Sequence, residues 1–585
     1  MLKKLIRQML TAQILSALTV TLCLLIDSIV IGRFLGVKAI AAYGLANPIL
    51  LIIGAFGSAL SAGVQVVCSK SLGRGLQEET NAGYSSAIGL GAAFSIPFTL
   101  IIFFLSVPAS KILGADTEQL VVDTSAYIRG FILGAPATMG ALILVPFMQM
   151  AGKTTLLIVS VAAMTITDIV MDLLNVIVFH GGMFGMGLAS SLSYYAALLI
   201  AGAYFLSKKC FFKFRLGLIS KAKIKELVTN SIPAIFSMAA SVVMVFGMNR
   251  ILLARGGSDA VAAFSVISSI GNASNCITTG IGGVSLTLTG IFYNEEDKSG
   301  LRTMLKELAF QGVLLGCAVG LLLVVIAPPA VGLFITEAGR SRGMAIIGLR
   351  LYALGLMPSC LTGLIKNGYQ SAGKERYTEV ISTVQNAVFP LLFALLLSIN
   401  VRSRYMTGVW FYFGCAEIAT LLLICLFVRK KSGKPAWEDL NVLMLPENFS
   451  VKAEEMMEVE IRSVEQVTEA SEAAYHFCMS QSGDRSLSYK LSLCVEEMAS
   501  NVVLHGFTKD NHEHHLSVRL MHKNGRWILR FRDDCRAFDP IHYVPKGDDK
   551  MKGMGIRLVM QLADEVRYTY SINLNNLMIM LKDKQ

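Results

Sequence analysis

The sequence predicts two fold classes in one chain: an all-α polytopic membrane part and, after it, a water-soluble α/β domain. Hydrophobic residues make up 54% of the 585 residues and the mean hydropathy is +0.58, values typical of a chain that crosses a membrane several times. The apolar stretches stop near Val428, where Arg429, Lys430 and Lys431 begin a sequence of ordinary polarity. The two parts can therefore be analysed separately.

Charge is divided unevenly between these parts. Residues 1–431 hold 33 Lys and Arg against 18 Asp and Glu, a net charge of +15, whereas residues 432–585 carry −4. The basic excess lies in membrane loops, where it sets orientation, and it does not indicate a nucleic-acid partner. The basic loop 207–227, the chain start and the residues after Val428 predict a multi-pass protein of the cytoplasmic (inner) membrane with both termini in the cytoplasm.

Twelve apolar stretches near 20 residues long are each sufficient to cross a bilayer as a helix. We expect an N-lobe of six helices at 1–206 and a C-lobe of six helices at 228–428, joined by the basic linker 207–227. The stretches lie at 10–31, 45–68, 85–107, 127–148, 155–179, 186–206, 228–253, 262–290, 308–334, 345–366, 379–399 and 407–428.

The two halves repeat at an offset of 221 residues. Six spans in each half give both halves one orientation, so the axis that relates them runs along the membrane normal. This arrangement favours a cleft between lobes and alternating access over a channel. The clearest repeat match sets Gln149, Ala151, Gly152 and Lys153 onto Gln370, Ala372, Gly373 and Lys374.

The run at 152–154 looks like the end of a phosphate-binding loop but lacks its first glycine, because the position that requires it is Phe147. We interpret this run as a turn between two spans.

Four acidic residues fall within the predicted spans: Asp27, Asp168, Asp172 and Glu417. A carboxylate in mid-membrane costs roughly 2.5–3.5 kcal/mol, so it usually faces a cavity, carries a proton or binds a cation. Asp168 and Asp172 are four residues apart on one helix face, with Asn175 close to that face. Such a pair favours exchange of a proton or binding of Na⁺. The alternative is that these groups only pack and hydrogen-bond to neighbouring spans, and it weighs most for Glu417.

Residues 8–430 resemble a multidrug and toxic compound extrusion (MATE) transporter, through Asp27 and the segments 32–36, 39–43, 149–153 and 168–172. The resemblance implies twelve helices in two lobes, and export of amphipathic organic cations driven by H⁺ or Na⁺ influx. It also implies that Asp27, Asp168 and Asp172 bind the coupling ion, although Asp168 stands where that family has Asn. A lipid-linked oligosaccharide flippase of the same superfamily is the alternative, which a strongly basic central cavity would favour.

Beyond a linker at 429–455, residues 456–585 show a mixed α/β pattern with three chemical constellations. Glu497 and Asn501 share one helix face, as a base beside a metal would. Asp533 follows a strand, a position for hydrogen bonding to the amine of a nucleobase. Gly553 and Gly555 precede a helix, where backbone N–H groups can approach phosphate. We expect helices at 463–480, 487–504 and 556–562, and strands at 516–520, 527–532, 566–571 and 577–581.

In this order the constellations resemble the ATP-binding domain of the GHKL class, specifically its anti-sigma-factor serine-kinase branch, through segments 497–506, 532–540, 553–556 and 562–566. The resemblance implies ATP and Mg²⁺ as cofactors. It assigns Mg²⁺ ligation to Asn501, polarisation of the attacking group to Glu497, adenine contact to Asp533, and nucleotide binding also to Asp539, Gly553 and Gly555.

The middle motif departs from that class, because Cys535 and Ala537 stand where it usually has glycine. If the backbone there requires a positive φ, each side chain costs roughly 1 kcal/mol or more. Two functions stay open for this domain: a protein serine kinase acting on a soluble partner protein, and a nucleotide-sensing regulatory module. His512, His514 and His515 are predicted to lie in an exposed loop and not to bind a metal.

Overall fold

The structure is a computed structural model that describes residues 2–113, 115, 117–207, 210–335, 339–398, 406–446, 449–451, 453–509, 513–523, 525–543 and 553–583. Several side chains between Val20 and Asn47 also lie outside the described part. The membrane part is helical throughout, with π-helical turns at Ile31–Leu35, Asn175–Phe179 and Val384–Val388. Its helices are α1 (Leu2–Val30), α2 (Val37–Gly73), α3 (Gln77–Phe104), α4 (Ser106–Ile112), α5 (Glu118–Ile132), α6 (Ala135–Met150), α7 (Thr154–Leu174), α8 (Gly182–Phe205), α9 (Lys221–Ser274), α10 (Cys276–Asn294), α11 (Lys298–Gly332), α12 (Arg340–Tyr352), α13 (Leu356–Ser371), α14 (Glu375–Thr383), α15 (Phe389–Ser398) and α16 (Tyr412–Ser432).

The number of membrane-crossing helices differs from the expected twelve. Ten helical segments among the described residues are long and apolar enough to cross a membrane, or eleven if α5 and α6, which meet at a 46° bend, form one span. The first predicted span falls in α1, a 29-residue helix outside this set, several of whose side chains are not described. The predicted span at 262–290 is also divided, because α9 ends at Ser274 and α10 begins at Cys276.

The internal repeat is visible in the backbone torsions. Gly36, with φ of 90°, separates α1 from α2, and Gly257, 221 positions later and with φ of 70°, breaks α9 in the same way. Gly152 and Gly373 form a second matched pair, with φ of 67° and 73°. A positive φ is accessible to glycine without the steric penalty that other residues incur, which explains why these glycines recur at the breaks between helices.

Hydrophobic packing reveals how the two halves meet. One cluster belongs to the first half alone and includes Ile31 and Tyr127, and another belongs to the second half alone and includes Phe264 and Trp410. A larger cluster combines the opposite helix ends of both halves with Leu574 near the end of the chain. The halves therefore share a core on one side of the membrane, here termed the tail side, and have separate cores on the far side.

The C-terminal region forms a five-stranded antiparallel sheet in the order β1-β2-β3-β5-β4, with helices on one face. The predicted strands and helices are confirmed. Strand β1 was not expected, because its exposed Glu458 and Glu460 interrupt any apolar run. The elements are β1 (Met456–Ile461), α17 (Val464–Ser482), α18 (Arg485–Asn501), β2 (Leu516–Lys523), β3 (Arg526–Asp533), α19 (Met554–Leu562), β4 (Glu565–Ser571) and β5 (Leu574–Lys582). This unit is termed the tail domain.

Strand alternation gives the tail sheet two different faces. On β3, Trp527, Leu529 and Phe531 pack into the core with α17 and α18. Arg530 and Arg532 alternate with these residues and lie on the opposite face, which packs against the membrane part. The sheet is thus covered on both sides, by its own helices on one and by the tail side of the membrane part on the other.

Candidate functional site

The tail domain contains a solvent-open cavity of about 330 Å³ between α18, β3, β5 and the start of α19. Of the nucleotide-binding residues implied by the sequence, Asn501, Asp533 and Gly553 line this cavity. Asp484 helps to place them by accepting hydrogen bonds from Ser486 N at 2.8 Å and Leu487 N at 3.1 Å, which caps the first turn of α18. Helix and strand thereby bring an amide and a carboxylate to one cavity.

Asp533 is the most firmly held of these residues. Its Oδ1 accepts hydrogen bonds from Cys535 N at 3.0 Å and from Asn575 Nδ2 at 2.7 Å, and Asn575 Oδ1 in turn accepts one from Tyr568 OH at 2.7 Å. Burial raises the pKa of Asp533, and the hydrogen bond from Asn575 opposes that rise. The carboxyl group is therefore fixed in orientation at the floor of the cavity.

Glu497 and Gly555 also lie together, at the junction of α18 and α19. A Cβ placed on Gly555 would lie 1.8 Å from Glu497 Oε2, so the carboxylate occupies the space that a side chain at this position would take. Gly553 caps α19 with φ of 77°, a left-handed conformation that also favours glycine. Residues 544–552, which precede this cap, lie outside the described residues.

The geometry of the middle motif bears on Cys535, Ala537 and Asp539. Cys535 and Ala537 have negative φ, so the cost expected for a side chain at these two positions does not arise. Asp539 does not line the cavity, and its carboxylate instead accepts hydrogen bonds from Ile541 N at 2.9 Å and from His542 Nδ1 at 2.9 Å.

The histidine loop is less exposed than expected. The side chain of His514 is only 7% exposed, and its Nδ1 lies 3.2 Å from Asp534 Oδ1. His514, Asp534 and Cys535 each offer one potential ligand atom, and these atoms lie within 4.8 Å of one another. His512 falls outside the described residues.

The second candidate site lies in the first half of the membrane part, where α1 and α7 bring three aspartates together. Asp27, Asp168 and Asp172 are all buried, and the carboxyl groups of Asp168 and Asp172 lie beside that of Asp27. The only hydroxyl donor to Asp27 among the described residues is Ser190 Oγ, at 3.3 Å from Oδ2. Both oxygens of Asp172, and Oδ1 of Asp27 and of Asp168, are buried without a hydrogen-bond partner among the described residues.

Asn175 does not join this cluster. Its Nδ2 donates to Gly182 O at 3.1 Å, and a Cβ on Gly185 would lie 1.7 Å from its Oδ1. The amide therefore holds the turn between α7 and α8, where glycines make room for it. The sequence places Asn175 close to the face of Asp168 and Asp172, but the hydrogen bond of its side chain goes to the following turn.

Glu417 has partners that the sequence did not reveal. Gln385 Nε2 donates to both of its carboxylate oxygens, at 3.1 and 2.9 Å, and Lys366 Nζ donates to Gln385 Oε1 at 3.1 Å. A basic residue within a predicted span, at Lys366, was the signal that could have indicated this arrangement. Glu417 is thus a satisfied packing group, in contrast to the three aspartates.

Known protein families match both the membrane part and the tail domain. The MatE family profile matches residues 12–174 and 233–396, and a histidine kinase-like ATPase domain profile matches residues 461–581. The multidrug export protein MepA of Staphylococcus saprophyticus is 24% identical over 362 residues, which cover 61% of this chain and 79% of that protein. The MepA protein of Staphylococcus aureus strain N315 is likewise 24% identical, over 361 residues.

Solved structures share the fold of the membrane part. A multidrug resistance MATE family transporter of the MOP superfamily in an outward-facing conformation has a TM-score of 0.67 at 20% identity, covering 74% of this chain and 96% of its own. A MATE transporter of Vibrio cholerae has a TM-score of 0.67 at 17% identity, with coverages of 76% and 99%. The fold, the repeat and the profile match agree: the chain belongs to the MatE family of multi-pass cell-membrane transporters and carries a histidine kinase-like ATPase domain at its C-terminal end.

Proposed function

We propose that the membrane part is a secondary-active exporter that couples the influx of H⁺ or Na⁺ to the efflux of amphipathic organic cations. The observation that carries this proposal is the cluster of Asp27, Asp168 and Asp172, in which Oδ1 of all three and Oδ2 of Asp172 are buried without a hydrogen-bond partner among the described residues. Three ionised carboxylates cannot share a dry site, because each is desolvated and each repels the others. A shared proton or a bound Na⁺ supplies the missing positive charge, so the cluster suits reversible ion binding.

The acidic character of this site also favours a cationic cargo. Two relatives are named as multidrug export proteins, and a negatively charged interior attracts organic cations and repels anions. The flippase alternative requires a basic cavity for an anionic lipid-linked substrate. Among the described buried residues of the first half, the membrane site is acidic, which makes the flippase the weaker candidate.

Proteoliposomes that contain the full chain and an imposed ion gradient test the exporter. We expect efflux of a fluorescent organic cation to depend on the H⁺ or Na⁺ gradient and to stop when an ionophore collapses it. ATP is not expected to be required, because no phosphate-binding loop accompanies the membrane part. Efflux that persists with ionophore and follows ATP alone would contradict the proposal.

For the tail domain we infer binding of ATP with Mg²⁺, in the cytoplasm. Asn501 would ligate Mg²⁺, Asp533 would accept a hydrogen bond from the adenine amine, and Gly553 and Gly555 would let backbone N–H groups approach the phosphates. Support comes from the cavity that Asn501, Asp533 and Gly553 line, and from the matched ATPase profile. The cytoplasmic location follows from the basic loops on the tail side.

A regulatory role is favoured over a protein kinase, because the sheet of the tail domain packs on the transporter itself. The kinase remains the second candidate, since Glu497 is in place beside Gly555. Incubating the full chain with labelled ATP and candidate partner proteins separates the two. Bound nucleotide without transfer supports the regulatory role, and phosphoserine on a partner would establish the kinase instead.

A further inference from the structure

We propose that the tail domain is a clamp that binds both halves of the transporter on the tail side and holds them in the conformation open to the far side. The surface that forms the clamp, termed the docking face, is the sheet face that carries Arg519, Arg530, Arg532 and Asn576. The inference rests on the proposed exporter, because a clamp has a functional effect only if the two halves must move.

The docking face binds the second half of the transporter through the turn between α10 and α11. Asp297 accepts hydrogen bonds from Arg519 Nη1 at 2.8 Å, Arg530 Nη2 at 3.1 Å and Arg532 Nη1 at 2.8 Å. Glu295 of the same turn accepts from Arg530 Nη1 at 3.3 Å, from Asn576 Nδ2 at 2.8 Å, and from Arg532. One short acidic turn thus pairs with three arginines, of which Arg519 also donates through Nη2 to Glu458 of β1 at 2.7 Å.

This ion network is buried and therefore specific to the docked arrangement. The side chains of Arg519, Arg530 and Asp297 are 2%, 3% and 1% exposed. Burial opposes ionisation of Asp297, yet the three arginines outweigh it and hold the pKa of Asp297 well below its usual range. Arginines brought out of water in this way need their acidic partners, so the docking face has a built partner surface on the transporter.

The same domain also binds the first half of the transporter. At the turn between β4 and β5, Ile572 N donates to Met150 O at 2.7 Å and Asn573 Nδ2 donates to Gly152 O at 2.8 Å. On β4, Arg567 Nη1 donates to Arg74 O at 2.9 Å, after the end of α2. One rigid sheet therefore spans from the turns of the first half to the acidic turn of the second.

The two halves are themselves in close contact beneath the clamp. A Cβ on Gly73 would lie 2.4 Å from Ile291 O, and one on Gly290 would lie 1.9 Å from Ser69 Oγ. Because the halves share one hydrophobic core on this side and have separate cores on the far side, the cleft between them is closed towards the tail. Opening towards the tail requires the bound turns to move apart, which the docked sheet resists.

The clamp is physically continuous with the nucleotide cavity. On β3, Arg532 lies on the docking face and its neighbour Asp533 lines the cavity. On β5, Asn576 donates to Glu295 while its neighbour Asn575 donates to Asp533. On each of these two strands, one residue contacts the transporter and its neighbour contacts or lines the nucleotide cavity. A nucleotide bound in the cavity would therefore alter the contacts of the docking face.

Spin labels on the far side test the clamp in the full chain. Cysteines introduced by Ile112→Cys and Leu333→Cys, in a Cys317→Ser background, occupy repeat-related positions that are 86% and 85% exposed at the ends of α4 and α11. When the docking face is unaltered, we expect one long distance between the labels. The population of the alternative conformation should be near or below the 0.1–10% typical of a minor state. Arg532→Glu should populate a second, shorter distance and raise the efflux rate several-fold.

A matched pair of glycine variants keeps this test decisive. Gly152→Ala should act as Arg532→Glu does, because its Cβ would lie 2.5 Å from Asn573, whereas Gly373→Ala meets nothing within 4 Å at a similar φ. Equal effects of the two glycine variants, or unchanged distances in Arg532→Glu, would overturn the clamp.

Failure of the clamp is distinguishable from failure of the exporter. If the membrane part exports but is not clamped, the efflux rate stays gradient-dependent while the docking variants match the parent chain. If it does not export, no variant shows efflux, and the inter-label distances alone decide whether the tail domain restrains the two halves.

Discussion

Two buried acidic clusters in this protein have equal burial and opposite partner sets. Asp172 in the membrane part and Asp297 at the docking face are both 0% exposed. Asp172 accepts no hydrogen bond among the described residues and has two further aspartates beside it, whereas Asp297 is surrounded by three arginines. The chemical role of a buried carboxylate here follows from its neighbours and not from its burial.

The different partners fit different roles: reversible ion binding at the membrane cluster, and attachment of the tail domain to the transporter at Asp297. A carboxylate without a fixed counter-charge gains most from a mobile one, so the membrane cluster suits a proton or Na⁺ that must arrive and leave. A carboxylate already saturated by arginines has no site left for a mobile ion, and removing one partner leaves an uncompensated buried charge. The first cluster therefore suits coupling, and the second holds two domains together.

The largest expected effect concerns the unpaired cluster. Asp27→Asn or Asp172→Asn should abolish gradient-driven cation efflux from proteoliposomes, because the amide cannot carry the exchanged proton or neutralise Na⁺. Glu417→Gln is the matched control: it also removes a buried membrane carboxylate, but one that Gln385 already satisfies. Coupled efflux that survives in both aspartate variants would refute the assignment.

At the paired cluster, Asp297→Asn should weaken docking by about 3 kcal/mol, because three arginines lose their central negative charge while asparagine still caps α11. Hydrogen exchange of the 294–299 turn, measured by mass spectrometry, reports the opening of the docked state. Asp439→Asn, which breaks a half-exposed ion pair with Arg302, should change exchange by less than about 1 kcal/mol. Similar effects in the two variants would remove the distinction between a buried network and a surface pair.

At the nucleotide cavity, Asn501→Ala should lower ATP affinity at least tenfold, roughly 1.4 kcal/mol, because the proposed Mg²⁺ ligand is lost. Titration of the full chain with a fluorescent ATP analogue, with and without Mg²⁺, measures this. Glu496→Ala, on an exposed position of the same helix, controls for changes in helix stability. Equal affinities for the parent chain and Asn501→Ala would exclude this residue from the site.

The smallest effect is expected for Cys535→Gly, which restores the residue usual in the related class. Because φ at this position is negative, the change relieves no backbone strain and should alter the free energy of unfolding by less than about 1 kcal/mol. Thermal unfolding of the tail domain within the full chain provides the measurement. A stabilisation well above that amount would show that the thiol strains the cavity, which it lines together with Gly506.

The sequence was sufficient to predict features that are local in the chain. Apolar runs predicted the helices, the 221-residue offset predicted two related halves, which the matched breaks at Gly36 and Gly257 share, and alternation predicted four of the five strands. These features follow from hydrophobic periodicity and from the torsional freedom of glycine. Strand β1 was not predicted because Glu458 and Glu460 leave this edge strand without the apolar run that marks a buried strand.

Contacts between distant segments could not be predicted in the same way. Arg530 and Arg532 had the appearance of a solvated strand face, since nothing in one sequence pairs them with Glu295, more than 200 residues earlier. A face with three arginines opposite a buried apolar face was the available signal, together with the acidic run at 295–297. The role of Asn175 also depends on a contact outside its own helix, because its Nδ2 donates to Gly182 O at the start of α8.

The comparison of the two clusters is tested most directly by the ion flux that accompanies cation efflux. Inward movement of H⁺ or Na⁺ should be measured in proteoliposomes with the parent chain, Asp172→Asn and Asp297→Asn, using a pH-sensitive dye and labelled Na⁺. We predict that cargo-dependent ion influx occurs in the parent chain, persists in Asp297→Asn and disappears in Asp172→Asn. Influx that persists in Asp172→Asn, or that disappears in Asp297→Asn alone, would contradict the division between an ion-exchanging cluster and a docking cluster.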